Sequence, residues 1–87
     1  MKEGYCIFSI FGATGDLAHR KLFPALYFLE HESQLKENFK VLGIARREKS
    51  QKEFIEEAAN SISRFSRVKV KDDILKKLLS RIDYAQI

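Results

Sequence analysis

The 87-residue chain has few of the residues that cross-link or interrupt small proteins: one cysteine, one proline and four glycines. A single cysteine excludes an intramolecular disulfide and a zinc site built from several cysteines. Because Cys6 lies in an apolar run, we expect a buried free thiol, which suits a reducing cytoplasm. With 45% hydrophobic residues, the composition also argues against a disordered chain.

Long apolar segments are absent as well. No stretch approaches the ~20 apolar residues of a membrane-spanning helix, and the N-terminus lacks the pattern of a signal peptide. We therefore expect a cytoplasmic protein with no membrane partner, and no residue pattern indicates a metal site. The net charge is +4, but the basic residues are scattered without interleaved aromatics. We expect no nucleic-acid partner, and a basic nucleic-acid-binding domain is the weaker alternative.

The first half of the chain alternates strand and helix patterns. Residues 5–11 form an apolar, partly aromatic run, which predicts a central parallel strand covered on both faces. Residues 16–23 are helical in pattern, and Pro24 predicts a kink or break near residues 21–23. Beyond it the helical periodicity resumes on one face, at Leu22, Ala25, Leu26 and Leu29.

The second half repeats the alternation after a polar connection. Residues 39–45 read as a second strand. Ser50 and Glu53 have the spacing of a capping box, which predicts a helix from about residue 51 to about residue 65.

A third helix and the start of a third strand follow. Asp72 and Asp73 are expected to cap the helix. Its apolar face is predicted to contain Ile74, Leu75, Leu78, Leu79 and Ile82. Residues 83–87 read as the beginning of a further strand.

This order of elements predicts an α/β fold with a Rossmann-like parallel sheet and flanking helices. The predicted fold is incomplete, because it contains only the elements β-α-β-α-α and the start of a further strand. We expect residues 1–87 to form the N-terminal portion of a dinucleotide-binding domain, with no second domain. Because a strand begins where the chain stops, we expect a fragment or an open sheet edge that favours self-association.

The turn between the first strand and the first helix is the candidate site. Glycine there gives the backbone unusual freedom, and the helix that follows directs N–H groups and a positive dipole end at the turn, which favours a phosphate. The candidate cofactor-binding residues are Gly12, Ala13, Thr14, Gly15, Asp16, Leu17, Ala18 and His19. The spacing departs from both G-x-G-x-x-G and the phosphate loop G-x-x-x-x-G-K-[ST], so a structural turn without a ligand is the alternative.

Arg46 and Arg47 stand at the end of the second strand. An NAD-binding domain tends to place a carboxylate there, whereas arginine suits the 2′-phosphate of NADP. Next to the glycine turn, the arginine pair favours NADP as the cofactor. A solvated strand end is the alternative.

Residues 11–26, with the sequence F-G-A-T-G-D-L-A-H-R-K-L-F-P-A-L, closely resemble the N-terminal signature of glucose-6-phosphate dehydrogenases. The segment G-I-A-R at residues 43–46 is similar to the end of that family's second strand. Shorter similarities follow at Glu53-Phe54, Ser61-Ile62 and Phe65.

The resemblance implies NADP-dependent oxidation of glucose 6-phosphate to 6-phosphogluconolactone, the entry step of the oxidative pentose phosphate pathway. It implies that residues 12–19 form the dinucleotide turn, that Thr14 and Arg46 meet the 2′-phosphate, and that Arg47 stacks or assists. Lys21 matches the family's lysine between cofactor and sugar.

Two departures from the family qualify this expectation. His19 stands where the family often has lysine, which is a small change, and Asp16 is expected to be structural. The family's histidine general base and second domain have no counterpart here, so we expect the chain alone to lack dehydrogenase activity. The alternative is a free nucleotide-binding half-domain without catalysis.

Overall fold

The computed structural model describes residues 6–87, which form a three-stranded parallel sheet in the order β1-β2-β3. The strands are β1 at Cys6–Phe11, β2 at Phe39–Ala45 and β3 at Ile82–Gln86. The helices are a π-helical turn at Ala18–Leu22 that leads into α1 at Phe23–His31, then α2 at Gln51–Phe65 and α3 at Asp72–Leu79. The parallel α/β fold is confirmed. Tyr5, predicted to begin the first strand, lies outside the described residues.

Pro24 shapes the first helix. The N–H of Phe23 donates to the carbonyl of Ala18, five residues earlier, so the helix widens into a π turn just before the proline. Pro24 then occupies the first turn of α1, the part of a helix that best tolerates its missing N–H. The chain stays helical through residues 21–23, so in place of the predicted kink or break the structure has a change from π- to α-helical pairing between Leu22 and Phe23.

The helices cover one face of the sheet. Along β2 the buried residues Val41, Gly43 and Ala45 alternate with half-buried ones, as expected when only one face is packed. The core between this face and the helices consists mainly of Ile10, Ala13, Phe23, Leu26, Tyr27, Val41, Phe54, Ala58, Ile62, Leu78 and Ile82.

The predicted burial of β1 on both faces is wrong for the described part of the chain. β1 lies at the edge of the sheet and pairs there with β2 alone. Ile7 is 61% exposed and Phe11 is 77% exposed, and Cys6 is exposed rather than a buried thiol. An apolar sequence favours burial, but it does not supply the layer that would cover the strand.

The beginnings of α2 and α3 differ. Ser50 Oγ accepts from the N–H of Glu53, and Glu53 Oε1 accepts from the N–H of Ser50, so the predicted capping box is confirmed. At α3 the N-cap is Lys71, without a side-chain cap, and the predicted capping by Asp72 and Asp73 is wrong. Both aspartates lie in the first turn instead, where their charge meets the positive end of the helix dipole.

The residues between α3 and β3 fasten the sheet to α1. Ile82 was predicted on the apolar face of α3, but it is the first residue of β3 and is buried. The buried Arg81 beside it donates from Nε to Glu30 Oε1 at 2.6 Å. Its Nη1 donates to the carbonyls of Lys36 and Phe39 at 2.6 and 2.9 Å. One guanidinium therefore joins α1, the connection before β2 and the start of β3.

Candidate functional site

The turn after β1 is clamped to the end of β2. Gly12 has a φ of +74°, a left-handed conformation that glycine adopts without strain. The N–H groups of Gly12 and Ala13 both donate to the carbonyl of Ile44, at 2.8 and 3.1 Å, and the N–H of Gly15 donates to the carbonyl of Gly12 at 2.9 Å. These three N–H groups build the turn, so they are engaged within the protein.

The helix begins directly after this turn. The N–H of His19 donates to the carbonyl of Gly15 at 3.2 Å. Asp16 and Leu17 are already helical and precede the π turn, and their N–H groups, in the first turn, have no acceptor within the helix. Together with the helix dipole they form the part of the turn that favours an anion.

Glycine at position 15 keeps this turn tight. A Cβ there would lie 3.1 Å from the carbonyl oxygen of Gly12, whereas a Cβ at Gly12 would meet no atom within 4 Å. Gly12 therefore faces open space, and it is required for its backbone angle rather than for its size.

An open groove of about 430 Å³ lies beside the turn. It is lined by Phe11, Gly12, Thr14, Gly15, Ile44, Ala45, Arg46, Arg47 and Ile87. The glycine turn and the arginine pair, far apart in sequence, therefore share one groove. They meet because β1 and β2 are parallel neighbours, and the carboxyl ends of such strands lie at the same edge of the sheet.

Both arginines are exposed at this edge. Among residues 6–87, neither guanidinium forms an ion pair with a carboxylate. The positive charge at the groove is therefore not neutralised by the described protein, and it is available to an anionic ligand.

Other candidate residues lie outside this groove. Ala13 and Ala18 are buried, and they pack in the core between helix and sheet. Leu17 is exposed. Asp16 and His19 line a second groove of about 370 Å³ that is shared with α2.

His19 is more than a surface polar residue. Its Nδ1 lies 2.6 Å from Ser61 Oγ, and that hydroxyl donates to the carbonyl of Glu57 at 3.0 Å. His19 and Ser61 thus share a side-chain hydrogen bond, in which the donor depends on the tautomer of the imidazole. His19 thus ties the first helix to α2, a contact that the sequence did not reveal.

Lys21 is also separate from the arginine groove. It is exposed and lines a third groove, of about 450 Å³, with Pro24, Ala25, Phe28 and Leu29 among its neighbours. The described residues therefore do not bring Lys21 together with Arg46 and Arg47.

Sequence reasoning missed three residues around the arginines. Ile44 lines the groove and accepts both clamping N–H groups. Tyr84 and Gln86, on β3, hydrogen-bond the main chain of the arginine pair. No local signal marks these two side chains, because their role depends on the register between β2 and β3.

Two features are absent from residues 6–87. No helix there combines the length and apolar character needed to span a bilayer. No group of three or more His, Cys, Asp or Glu side chains is arranged to hold a metal ion.

Comparison with known proteins gives consistent matches. Residues 9–87 match the family described as glucose-6-phosphate dehydrogenase, NAD binding domain. The chain is 57% identical over 61 residues to a glucose-6-phosphate 1-dehydrogenase of Chlamydia muridarum, covering 70% of this chain and 12% of that protein. It is 37% identical over 82 residues to the enzyme of the same name from Buchnera aphidicola subsp. Schizaphis graminum, covering 94% of this chain and 17% of that protein.

Solved structures agree with the sequence matches. The fold superposes on a crystal structure of glucose-6-phosphate 1-dehydrogenase from Mycobacterium avium with a TM-score of 0.84 and 28% identity, over 93% of this chain and 18% of that one. A glucose-6-phosphate dehydrogenase in complex with its substrate glucose 6-phosphate gives a TM-score of 0.80 at 29% identity, over 100% of this chain and 18% of that one. The chain thus spans less than a fifth of the length of these relatives.

Proposed function

Since this chain belongs to the glucose-6-phosphate dehydrogenase family, we propose that it holds NADP for the oxidation of glucose 6-phosphate to 6-phosphogluconolactone. That reaction opens the oxidative pentose phosphate pathway. When bound, the nicotinamide supplies the hydride acceptor. The chain's own part is to bind and orient the adenosine half of the cofactor.

The groove shared by the glycine turn and the arginines is the observation that carries this proposal. Outside this groove, at the start of the first helix, the N–H groups of Asp16 and Leu17 suit the diphosphate, since a helix N-terminus combines free donors with a favourable dipole. Arg46 suits the 2′-phosphate, which a guanidinium can grip with two parallel hydrogen bonds. Thr14 lines the same groove and adds a hydroxyl donor, and Arg47 supplies a second positive charge.

The remaining candidates have supporting roles in this proposal. Gly12 and Gly15 shape the turn, while Ala13 and Ala18 pack beneath it. His19 holds the first helix against α2.

Lys21 is proposed to reach toward the sugar substrate, on the strength of the family resemblance. It lies in its own groove on the first helix, away from the arginines. Nothing beside it in the described chain provides a positioned general base of the kind that takes the proton from a sugar hydroxyl. We therefore expect no NADPH formation when the purified chain is mixed with NADP and glucose 6-phosphate. Measurable NADPH would contradict this expectation.

A titration of the chain with NADP, NAD, 2′,5′-ADP and 5′-ADP tests the proposed cofactor. Ligands that carry the 2′-phosphate should bind more tightly than their partners without it, because only they engage the arginines. Equal affinity for NADP and NAD would contradict the proposed contact between Arg46 and the 2′-phosphate. A complete lack of binding by all four ligands would refute the proposed nucleotide site.

A nucleotide-binding half-domain that self-associates is the second candidate. Among the described residues β1 pairs with β2 only, and its outer edge carries neither proline nor a charged side chain. Such an edge is open to pairing with another strand. Sedimentation velocity should then show association that weakens when a lysine replaces Ile7. A monomer at all concentrations would exclude this behaviour.

We also propose a cytoplasmic location. This proposal rests on the single cysteine and on the family resemblance, and a fractionation experiment would test it.

A further inference from the structure

We infer that Tyr84 and Gln86 are positioning residues for Arg46 and Arg47, and that they thereby contribute to the preference for NADP over NAD. The inference rests on the proposed function of the arginine groove. Tyr84 and Gln86 do not line that groove, so they would act through the main chain of the arginines rather than by touching the cofactor.

Two consecutive carbonyls of the arginine pair are held from β3. The hydroxyl of Tyr84 donates to the carbonyl of Arg47. The Nε2 of Gln86 donates to the carbonyl of Arg46 at 3.1 Å. Both arginines follow the last residue of β2, where the main-chain pairing of β2 with β3 ends. The two side-chain hydrogen bonds therefore extend the connection between the strands beyond the regular sheet.

Tyr84 is itself held in place. Its ring stacks on that of Phe54, with centroids 4.6 Å apart and planes inclined by 26°. Its N–H donates to Gln51 Oε1 at 2.8 Å. Phe54 is fully buried beneath the sheet, so the hydroxyl of Tyr84 projects from a packed ring rather than from a mobile surface side chain.

Fixing the main chain matters for an arginine that recognises a phosphate. A paired guanidinium–phosphate contact requires a defined direction of approach, and a long side chain loses conformational freedom when it adopts one. If the peptide that carries the side chain is already fixed, less freedom is lost on binding. NAD lacks the 2′-phosphate, so its affinity does not benefit from this ordering.

Two variants separate this role from a general contribution to folding. Tyr84→Phe removes the hydroxyl and keeps the ring that stacks on Phe54, and Gln86→Ala removes the amide donor from an exposed position. Tyr27→Phe is the matched control, because the hydroxyl of Tyr27 also makes one main-chain contact, accepting from the N–H of Lys71 at 2.8 Å, away from the arginine groove.

The readout is the ratio of dissociation constants for NADP and NAD, measured by calorimetry on the folded chain. Each of Tyr84→Phe and Gln86→Ala should weaken NADP about two- to tenfold, as expected when one neutral hydrogen bond is lost, with NAD changed by less than about twofold. Tyr27→Phe should lower the melting temperature without changing the ratio. In an Arg46→Ala, Arg47→Ala background, Tyr84→Phe should no longer change the ratio, because the groups it positions are gone.

The outcomes distinguish this inference from the function on which it rests. If the unmodified chain binds NADP and NAD equally, or binds neither, the proposed 2′-phosphate site at the arginines is wrong. The inference about Tyr84 and Gln86 is then wrong as well. If the unmodified chain prefers NADP but both variants leave the ratio unchanged, or weaken both cofactors equally, Tyr84 and Gln86 are structural only. The proposed function would then stand without them.

Discussion

The ring of Phe54 occupies the space that a side chain at Gly43 would need. A Cβ on Gly43 would lie 2.6 Å from Cζ and 2.9 Å from Cε2 of Phe54, and 3.0 Å from the Cβ of Ala13. Gly43 thus lets α2 and the glycine turn approach the middle of β2 together. The same Phe54 ring stacks on Tyr84, whose hydroxyl donates to the carbonyl of Arg47, so one row of contacts connects Gly43 to the arginine pair.

Gly43→Ala should therefore destabilise the fold. We expect a loss of about 1 to 3 kcal/mol in the free energy of unfolding, as for other overpacked cores, measured by urea denaturation. The cost should be smaller in a Phe54→Leu background, because the smaller side chain leaves room for the methyl group. An unchanged stability would show that the helix shifts freely, and the close approach would then have no energetic consequence.

Arg46→Ala should weaken NADP far more than NAD. A lost hydrogen bond to a charged group is worth about 1.5 to 3 kcal/mol, or roughly ten- to a hundredfold in affinity. Arg64→Ala, which removes the same charge from a different groove, is the matched control and should leave the ratio unchanged. Equal losses of NADP and NAD with Arg46→Ala would argue against contact with the 2′-phosphate.

Arg81→Met should be among the most destabilising substitutions. The side chains of Arg81 and Glu30 are only 5% and 3% exposed, so removing one charge leaves the other buried without its partner. We expect a loss of about 3 to 5 kcal/mol in the free energy of unfolding. Replacing Glu30 with leucine at the same time should restore much of the lost free energy of unfolding, because no unpaired charge then remains buried. A double variant no more stable than Arg81→Met would show that the unpaired carboxylate is not the cause of the loss.

The capping box of α2 predicts a dependence of stability on pH. The pKa of Glu53 is lowered, chiefly because its carboxylate accepts a hydrogen bond from the N–H of Ser50. A carboxyl whose pKa is lower in the folded state stabilises that state above its ordinary pKa, and loses this contribution as the pH falls through the lowered value. The stability of the unmodified chain should therefore exceed that of Glu53→Gln at neutral pH, and the difference should shrink on acidification. If the difference in stability between the two chains did not change with pH, Glu53 would stabilise the helix through the shape of its side chain rather than through its charge.

Local sequence patterns predicted most of the elements. The bounds of β2 and the capping box at Ser50 each depend on a few neighbouring residues, and each is confirmed. The disturbance expected before Pro24 is present as a π turn rather than as a break. The glycine turn was predictable for the same reason, because Gly12 directly follows a strand and glycine readily adopts the positive φ found there.

Predictions that needed knowledge of neighbouring elements were less successful. The burial of Cys6 and of both faces of β1 failed, because an apolar run does not specify whether a strand is central or at an edge. Ile82 was assigned to α3, because an apolar residue near the end of a helix fits its periodicity as well as it fits a following strand.

By itself, the sequence determined the order of strands and helices, the glycine turn, the arginine pair and the family to which they belong. Only the tertiary structure decided that the turn and the arginines share one groove, that Lys21 lies outside it, and that Tyr84 and Gln86 hold the main chain of the arginines. The reason is physical. Turns, caps and periodicity arise from forces between residues close in sequence, whereas a shared groove arises from strand register and packing between residues that are distant along the chain.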